Sequence, residues 1–172
     1  GVTGGIAAYK AVEITSRLKK AGAEVHVIMT RGAENFVTEL TFREISSQPV
    51  TTDMWAKVPH YHVEHIALAT LADAVLIAPA TANVIAKAAA GIADDMLTTT
   101  VMACRCPILI SPAMNTNMFL NPIVQDNLAK LRRFGYTVIE PDSGYLACGD
   151  IGAGKMPSEK TLFDWIMQTI GA

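Results

Sequence analysis

Apolar residues along this chain alternate between helical spacing and short unbroken runs. In residues 6–21, small and apolar side chains recur every three or four positions and Gly22 follows, so this segment predicts a helix that ends at the glycine. The next apolar run, residues 25–29, has the length and composition of a buried parallel strand. The same alternation continues to the end of the chain.

The complete pattern predicts six strands that alternate with helices. Further helices are predicted at residues 40–46, 63–71, 83–90, 94–103 (capped by Asp94), 123–133 and 159–170, and further strands at residues 50–54, 74–78, 108–111 and 136–140, while residues 1–3 resemble the end of a first strand. Strands that alternate with helices form a parallel sheet covered on both faces. The predicted fold class is therefore α/β, a three-layer doubly wound parallel sheet of about six strands.

Domain organisation is predicted to be simple. The 172 residues are 51% apolar, enough for one sizeable core, and no repeat or linker divides them, so residues 1–172 are expected to form a single domain. Because residues 1–3 resemble a strand whose beginning is missing, we expect that Gly1 is not the biological start and that a targeting segment could precede it.

Composition narrows the classes of function. A formal net charge of -2 provides no basic stripe for a nucleic-acid backbone. Apolar runs such as residues 74–78, which Pro79 interrupts, are too short to span a bilayer. Three cysteines, with Cys104 and Cys106 one residue apart, suggest neither a disulfide framework nor a zinc site, so a reducing cytoplasm is expected.

Four loops follow predicted strands directly and are rich in small or hydroxyl residues. They cover residues 3–5, 30–32, 79–83 and 112–117. The carboxyl ends of parallel strands meet at one edge of the sheet, where ligands of such folds bind. Gly4 and Gly5 open a helix, whose free amides favour an anion, although the full G-x-G-x-x-G pattern is absent. The four loops predict a site for a phosphate-bearing cofactor.

Two other motifs suggest sites that their surroundings do not support. Residues 149–155 match G-x-x-x-x-G-K, but Met156 replaces the Ser or Thr of a P-loop and turn-like residues 142–148 precede it. A glycine-rich flap over residues 144–156 fits better. The sequence H-x-H-x-x-H at positions 60, 62 and 65 suggests zinc, but no carboxylate or thiolate is placed to complete a site, so no metal is predicted.

Five segments in this order resemble a known family. They are GGIAAYK at residues 4–10, HIALA at 65–69, PATAN at 79–83, PAMN at 112–115 and ACGDIG at 147–152. Together they resemble the homo-oligomeric flavin-containing cysteine decarboxylases, and most closely the phosphopantothenoylcysteine decarboxylases, over essentially the whole chain. The resemblance implies a Rossmann- or flavodoxin-like fold with FMN across the strand ends.

The same resemblance implies roles for individual residues. FMN would contact Gly4, Gly5, Ile6, Thr30, Phe42, Pro79, Ala80, Thr81, Asn83, Ala113 and Met114. His65 matches the family's catalytic histidine, Asn115 its residue for the substrate carboxylate and Cys148 the cysteine on the closing flap. Lys155 stands where arginine is common, and Phe119 where a larger polar aromatic often stands; these departures concern flap and substrate contacts.

The activity implied is the FMN-dependent decarboxylation of 4′-phosphopantothenoylcysteine to 4′-phosphopantetheine in coenzyme A synthesis. Direct loss of CO2 would leave an unstabilised carbanion, whereas oxidation of the thiol to a thioaldehyde lets the electrons delocalise into an enethiolate, which is then reduced. Family members form trimers, or dodecamers built from trimers, with the flavin at a subunit boundary. In bacteria a synthetase domain is often attached.

Two alternatives remain. A peptidyl-cysteine decarboxylase shares the histidine and the PAMN element but is expected to lack the ACGDIG flap, because its enethiol product is not reduced. A non-catalytic regulatory flavoprotein subunit on the same scaffold is a different class, and fold alone does not exclude it. The presence of His65, Asn115 and Cys148 together favours the enzyme.

Overall fold

The structure is a computed structural model that describes residues 1–55, 64–147 and 149–171. The helices are α1 (Ala8–Lys20), α2 (Glu39–Ser46), α3 (Glu64–Leu71), α4 (Ala82–Ala90), α5 (Met96–Ala103), α6 (Thr116–Phe119), α7 (Pro122–Arg133) and α8 (Glu159–Ile170), with a 3-10 turn at Ala33–Asn35. The strands are β1 (Val27–Ile28), β2 (Val50–Thr51), β3 (Val75–Ala80), β4 (Ile108–Pro112), β5 (Thr137–Val138), β6 (Asp142–Tyr145) and β7 (Ile151–Lys155).

Residues 1–3 form the central strand of the sheet. Val2 pairs in parallel with Met29, next to β1, and β1 pairs in parallel with β2. On the other side, the Gly1 nitrogen donates to the Leu76 carbonyl (2.8 Å) and the Ala78 amide donates to the Gly1 carbonyl (2.9 Å). Since β3, β4 and β5 are also parallel neighbours, the sheet order is β2, β1, residues 1–3, β3, β4, β5.

This order confirms the predicted fold class. Chain order runs outward from residues 1–3 in one direction through β1 and β2, then in the other direction through β3, β4 and β5. The winding therefore reverses between residues 1–3 and β3. In doubly wound sheets this reversal opens a crevice at the carboxyl ends of the two strands, where ligands bind.

Helices cover both faces of the sheet, and alternate residues of β3 and β4 pack against opposite layers. Ile77 and Ile110 pack with buried residues of α4, α5 and α7. Ala78 and Leu109 pack with buried residues of α1 and α8. The period of two in a strand sends neighbouring side chains to opposite faces, so both sides of these strands are apolar.

One predicted helix cap is wrong by one residue. Asp95, not Asp94, precedes α5: its Oδ1 accepts from the Thr98 amide at 2.8 Å, and the Thr98 hydroxyl accepts from the Asp95 amide at 3.2 Å. This reciprocal capping box satisfies two amides at once, which Asp94 could not do from one position earlier. Asp94 instead accepts from Lys87 Nζ at 2.7 Å.

The prediction of a turn over residues 142–148 is also wrong for its first part. β6 and β7 form an antiparallel hairpin, called the hairpin below, with Tyr145 opposite Ile151. The sequence Asp-Ser-Gly-Tyr has no apolar alternation, because this ladder depends on backbone hydrogen bonds and its side chains are mostly exposed. The G-x-x-x-x-G-K segment thus runs into strand β7 and not into a helix, unlike a P-loop.

Across the part of the chain that the structure describes, none of the helices combines the length and the apolar character needed to cross a membrane.

Candidate active site

One buried hydroxyl links the two loops that flank the crevice at the winding reversal. Thr3, 1% exposed, donates from Oγ1 to the Pro79 carbonyl at 2.7 Å and accepts from the Thr81 amide at 3.1 Å. The predicted cofactor residues Pro79, Ala80 and Thr81 are therefore fixed to the loop that carries Gly4 and Gly5. Loops 3–5 and 79–83 form one rigid unit.

Loop 30–32 joins the same unit through glycine backbone contact. An ideal Cβ on Gly4 would lie 2.8 Å from both the carbonyl carbon and the carbonyl oxygen of Gly32, a distance that only glycine avoids. The Thr30 amide donates to the Val2 carbonyl at 3.0 Å. Among the described residues, no atom lies within 4 Å of an ideal Cβ on Gly5, so this side of the loop is open.

Helix α1, which follows this loop, begins without a side-chain cap. No side chain of the described residues bonds to its first amides, and its first turn contains no acidic residue. Helix α2 also lacks a side-chain cap, whereas side chains cap α4, α5, α6, α7 and α8. The Ala8 and Lys10 amides donate to backbone carbonyls, so the feature that favours an anion here is the positive end of the helix dipole, and the anion site predicted at Gly4 and Gly5 stays a prediction.

The loop after β4 brings Asn115 to the same edge. The Ala113 amide donates to the Ala80 carbonyl at 3.1 Å, which ties this loop to loop 79–83. Asn115 caps α6, since its Oδ1 accepts from the Asn117 amide at 2.8 Å. Its Nδ2 donates to Asp150 Oδ2 at 3.0 Å, a residue of the hairpin.

The hairpin is docked on this loop by its own backbone. The Met114 amide donates to the Gly154 carbonyl at 3.0 Å. Gly154 has φ +115°, and a Cβ there would overlap the Met114 carbonyl oxygen. A Cβ on Gly152 would lie 2.5 Å from Thr116 Oγ1. Two of the flap glycines are thus required for close approach, and the hairpin lies closed against residues 114–116.

His65 lies in the first turn of α3, at another part of the edge. Its neighbour Glu64 accepts from Thr51 Oγ1, at the end of β2, at 2.7 Å. The half-buried imidazole forms no hydrogen bond or ion pair within residues 1–55, 64–147 and 149–171, so none links it to Asn115. Cys148, His60 and His62 lie outside the described residues. Within the described residues, hydrogen bonds therefore link the loop of Asn115 to loops 79–83 and 3–5, but none links His65 to these loops.

Three predicted cofactor residues differ sharply in exposure. Phe42 is fully buried on α2, where it packs in one cluster with Val2 and Met29 of two neighbouring strands. Ile6 is 60% exposed and Asn83 is also exposed. The cofactor contacts of these residues stay predictions.

Two buried hydroxyls at the site were not singled out from the sequence. In the described parts of the chain, Ser111 Oγ and Thr116 Oγ1 have no hydrogen-bond partner, and they flank residues 112–115 on either side. Buried hydroxyls are normally paired, so each of these has an unmet demand. Ser111 was detectable as the single hydroxyl in the apolar strand β4. Asp150 carried no comparable signal, because its contact with Asn115 depends on the hairpin.

Cys104, near the opposite end of β4, is a weakly reactive thiol. Burial, and then the neighbouring Cys106, raise the pKa of the Cys104 thiol to about 11. The nucleophilic thiolate is therefore a minor species at neutral pH. No cluster of three or more metal-ligating side chains occurs in residues 1–55, 64–147 and 149–171.

Comparison with known proteins identifies the family. The family model described as flavoprotein matches residues 1–171. The chain belongs to the flavoprotein family. This flavoprotein is 49% identical over 161 residues to the coenzyme A biosynthesis bifunctional protein CoaBC of Bacillus subtilis, covering 94% of this chain and 40% of that protein. It is 47% identical over 156 residues to CoaBC of Vibrio vulnificus, covering 91% and 39%.

Solved structures agree with this assignment. A mutant PPC decarboxylase complexed with pantothenoylaminoethenethiol matches with a TM-score of 0.87 and 30% identity, covering 99% of this flavoprotein and 96% of that chain. The FMN-dependent cysteine decarboxylase SpaF matches with a TM-score of 0.85 and 32% identity over 100% and 95%. These findings confirm the resemblance and the fold. The chain spans about 40% of the length of the CoaBC proteins it matches.

Proposed function

We propose that this flavoprotein uses FMN to decarboxylate 4′-phosphopantothenoylcysteine to 4′-phosphopantetheine in coenzyme A synthesis. One observation carries the proposal: the start of α1, which has no side-chain cap, and the Asn115 amide lie on loops of one sheet edge that are joined through residues 79–83, and the hairpin contacts Asn115. The positive end of a helix suits the phosphate of a cofactor, and an amide NH2 group that can donate to a carboxylate suits an acidic substrate. Similarity to CoaBC and to PPC decarboxylase supports this substrate.

The described residues fit FMN. The α1 amides and Gly5 offer open space and positive potential for its phosphate, with Thr81 and Asn83 on the adjoining loop. Ser111 and Thr116 supply buried hydroxyls whose hydrogen-bonding demand a ligand would meet. The names of relatives as an FMN-binding protein and an FMN-dependent decarboxylase support the same cofactor. When bound, FMN would take two electrons from the substrate thiol and return them after CO2 is lost.

Asn115 would hold the substrate's carboxylate. Its Oδ1 accepts from the Asn117 amide, so the NH2 group, which has two N–H donors and bonds to Asp150 with one of them, is the end that faces acceptors. An amide donor adds no fixed positive charge, which would stabilise the carboxylate ground state more than the CO2-like transition state. Asn115 can therefore orient the carboxylate without opposing its departure.

His65 and Cys148 would transfer protons during the reaction. The half-buried imidazole of His65 forms no hydrogen bond or ion pair within the described residues and can act as a general acid or base. Cys148, which the resemblance assigns to the flap, would protonate carbon after CO2 leaves, because a thiol is a better proton donor than a serine hydroxyl. These roles follow from the family resemblance.

Assembly and context belong to the same proposal. The chain covers about 40% of the length of relatives that are named bifunctional. This supports the proposal that the whole protein also carries a synthetase domain. We infer self-association as a trimer or a dodecamer, with the flavin at a subunit boundary, and a cytoplasmic location.

The test is turnover by the purified protein. We expect a yellow protein that releases FMN on heating and converts phosphopantothenoylcysteine to a product lighter by CO2, while a peptide ending in cysteine is a poor substrate. His65→Asn should keep FMN but lower kcat about 100-fold or more. A wild-type protein that binds no FMN, or that prefers the peptide, would overturn the proposal; near-normal turnover by His65→Asn would remove only this residue.

A further inference from the structure

Strand β7 contains a bulge immediately before Lys155. In the hairpin, Asp142 pairs with Lys155 and Ser143 pairs with Ala153, so one step along β6 corresponds to two steps along β7. The extra residue is Gly154, whose φ of +115° suits such a bulge. Bulges are frequent beside active sites, where they redirect a side chain. Here the side chain that follows the bulge is that of Lys155.

The strand pairing shows which face of the hairpin Lys155 occupies. Residues paired across a ladder have their side chains on the same face, and the faces alternate along each strand. Gly144 pairs with Gly152, and an ideal Cβ on Gly152 would touch Thr116. Asp142 lies two residues before Gly144 on β6, so both are on this face. Lys155, the partner of Asp142, therefore lies on it too, and without the bulge it would face the other way.

The Lys155 side chain extends along this face. An ideal Cβ on Gly144 would lie 3.4 Å from Lys155 Cδ and 3.5 Å from its Nζ. The ammonium thus lies beside Gly144 and forms no ion pair with Asp142, nor any other ion pair or hydrogen bond within the described residues. The Met114 amide donates to the carbonyl of the adjacent Gly154, which fixes the base of the hairpin to the sheet edge. The hairpin therefore presents a positive charge, on a fixed base, to the side where the site lies.

The proposed substrate has two anionic groups that such a charge could bind. Asn115 accounts for the carboxylate, and a cation there would stabilise the ground state more than the transition state. The phosphate is roughly 12 bonds from the carboxylate, about 15 Å in an extended molecule. Five residues of β7 separate Lys155 from Asp150, which bonds to Asn115, so the two Cα atoms lie at most about 16 Å apart. The flexible lysine stem adjusts the ammonium within this span, which suits the phosphate.

We propose that Lys155 binds the phosphate monoester of the substrate and that the bulge at Gly154 places it for this role. The proposal rests on the proposed function, in which Asn115 binds the carboxylate at the other end of the same molecule. The phosphate is remote from the bond that breaks, so its contact with Lys155 stabilises the ground state and the transition state alike. Lys155 thus selects phosphorylated substrates over peptides that end in cysteine, and it leaves the rate of the bound substrate unchanged.

The first experiment needs no turnover. Isothermal titration calorimetry on the FMN-loaded full chain measures the Kd of 4′-phosphopantetheine and of pantetheine, which differ only in the phosphate. We expect wild type to bind the phosphorylated compound at least about tenfold more tightly, and Lys155→Met to weaken binding of that compound alone by about 10- to 50-fold. Equal Kd values for the two compounds in wild type, an unchanged Kd in Lys155→Met or an equal loss for both compounds would overturn the proposal.

Two further variants control for charge and for folding. Lys155→Arg keeps a cation whose donors suit a phosphate, so we expect a Kd within about threefold of wild type. Lys20→Met removes another exposed lysine, at the far end of α1, and should change neither Kd. Melting temperature and FMN content should match wild type throughout, because both lysines are exposed. A loss in Lys20→Met as large as in Lys155→Met would show an effect of net charge alone and would reject a specific site.

The second experiment measures kcat and KM for phosphopantothenoylcysteine and for pantothenoylcysteine. We expect Lys155→Met to raise KM for the phosphorylated substrate about 10- to 50-fold, with kcat within about threefold, and to leave KM for the unphosphorylated substrate near wild type. A fall in kcat for both substrates would place Lys155 in the chemistry and refute the phosphate role. If wild type turns over neither substrate, the proposed function fails, while the calorimetry still decides whether Lys155 binds the phosphate.

Discussion

The two sides of the candidate site are built in opposite ways. Loops 3–5, 30–32 and 79–83 are joined by a buried hydroxyl, by glycine contact and by strand hydrogen bonds, so a shift of one would disturb contacts with the others. The hairpin is exposed along most of its length and contacts the edge through residues 150, 152 and 154. A cofactor that stays bound through many cycles suits the first construction. A substrate that enters and leaves suits the second.

Asn115 lies on the sheet edge and bonds to the hairpin through Asp150. Of the substitutions below, Asn115→Asp should have the largest effect on activity. Asp keeps an oxygen to cap α6 but removes the donor and adds a charge that repels both Asp150 and the substrate. We expect kcat/KM to fall roughly 1,000-fold, since removing one preorganised donor alone costs 10²–10³. Flavin absorbance and the melting temperature should stay near wild type. An unchanged kcat/KM would remove Asn115 from the site.

Gly4→Ala tests the rigid side. Its Cβ would meet the Gly32 backbone, which cannot rotate away, so we expect a loss of about 1–3 kcal/mol in stability and up to about 100-fold in FMN affinity. Gly5→Ala is the control, because its Cβ has open space. Fluorescence titration with FMN and thermal melts distinguish the two variants. Equal FMN affinity in both would mean that the contact between loops 3–5 and 30–32 does not shape the cofactor site.

Gly154→Ala tests the hairpin side. The residue has φ +115° and lies against the Met114 carbonyl, so alanine should displace the base of the hairpin at a cost of about 1–3 kcal/mol. We expect kcat/KM to fall about tenfold while FMN stays bound. Gly144→Ala, whose nearest neighbour is the flexible Lys155 side chain at 3.4 Å, should be near wild type. Loss of FMN from Gly154→Ala would show that the two sides are not independent.

Ser111→Ala should have the smallest effect and a sign that depends on the ligand. The buried hydroxyl has no partner in the described residues, so its removal should stabilise the flavin-free protein by roughly 1 kcal/mol. If FMN or substrate uses the hydroxyl, the loaded protein should lose a similar amount. Thermal melts with and without FMN measure both quantities. Destabilisation of the flavin-free protein would indicate that the hydroxyl already has a partner.

The same comparison explains what the sequence predicted well. The parallel sheet and its helices follow from apolar runs such as residues 74–78 and 108–111, because a strand buried on both faces must be apolar throughout. The strand-end loops then follow from topology. Their convergence was predictable without knowing any side-chain contact, and the family resemblance added FMN.

The hairpin was not predictable in this way. Its β6 sequence has no apolar alternation, and its pairing depends on backbone bonds between residues whose side chains face solvent. The bond between Asp150 and Asn115 exists only once the hairpin docks, so no local pattern in the sequence reports it. Similarly, Asp94 and Asp95 are equivalent caps by residue type, and only the position of Thr98 selects Asp95.

The central position of residues 1–3 in the sheet has a consequence for biosynthesis. Gly1 pairs with Leu76, 75 positions along the chain, and Thr3 pairs with Pro79, 76 positions along. At a translation rate of about 5–20 residues per second, this segment waits roughly 4–15 seconds for its partner strand. During that interval residues 1–3 are an edge of the unfinished sheet, with β1 as a neighbour on one side only. Residues 1–3 are thus made early and paired late, and the crevice beside them forms only after the nascent chain has passed residue 81.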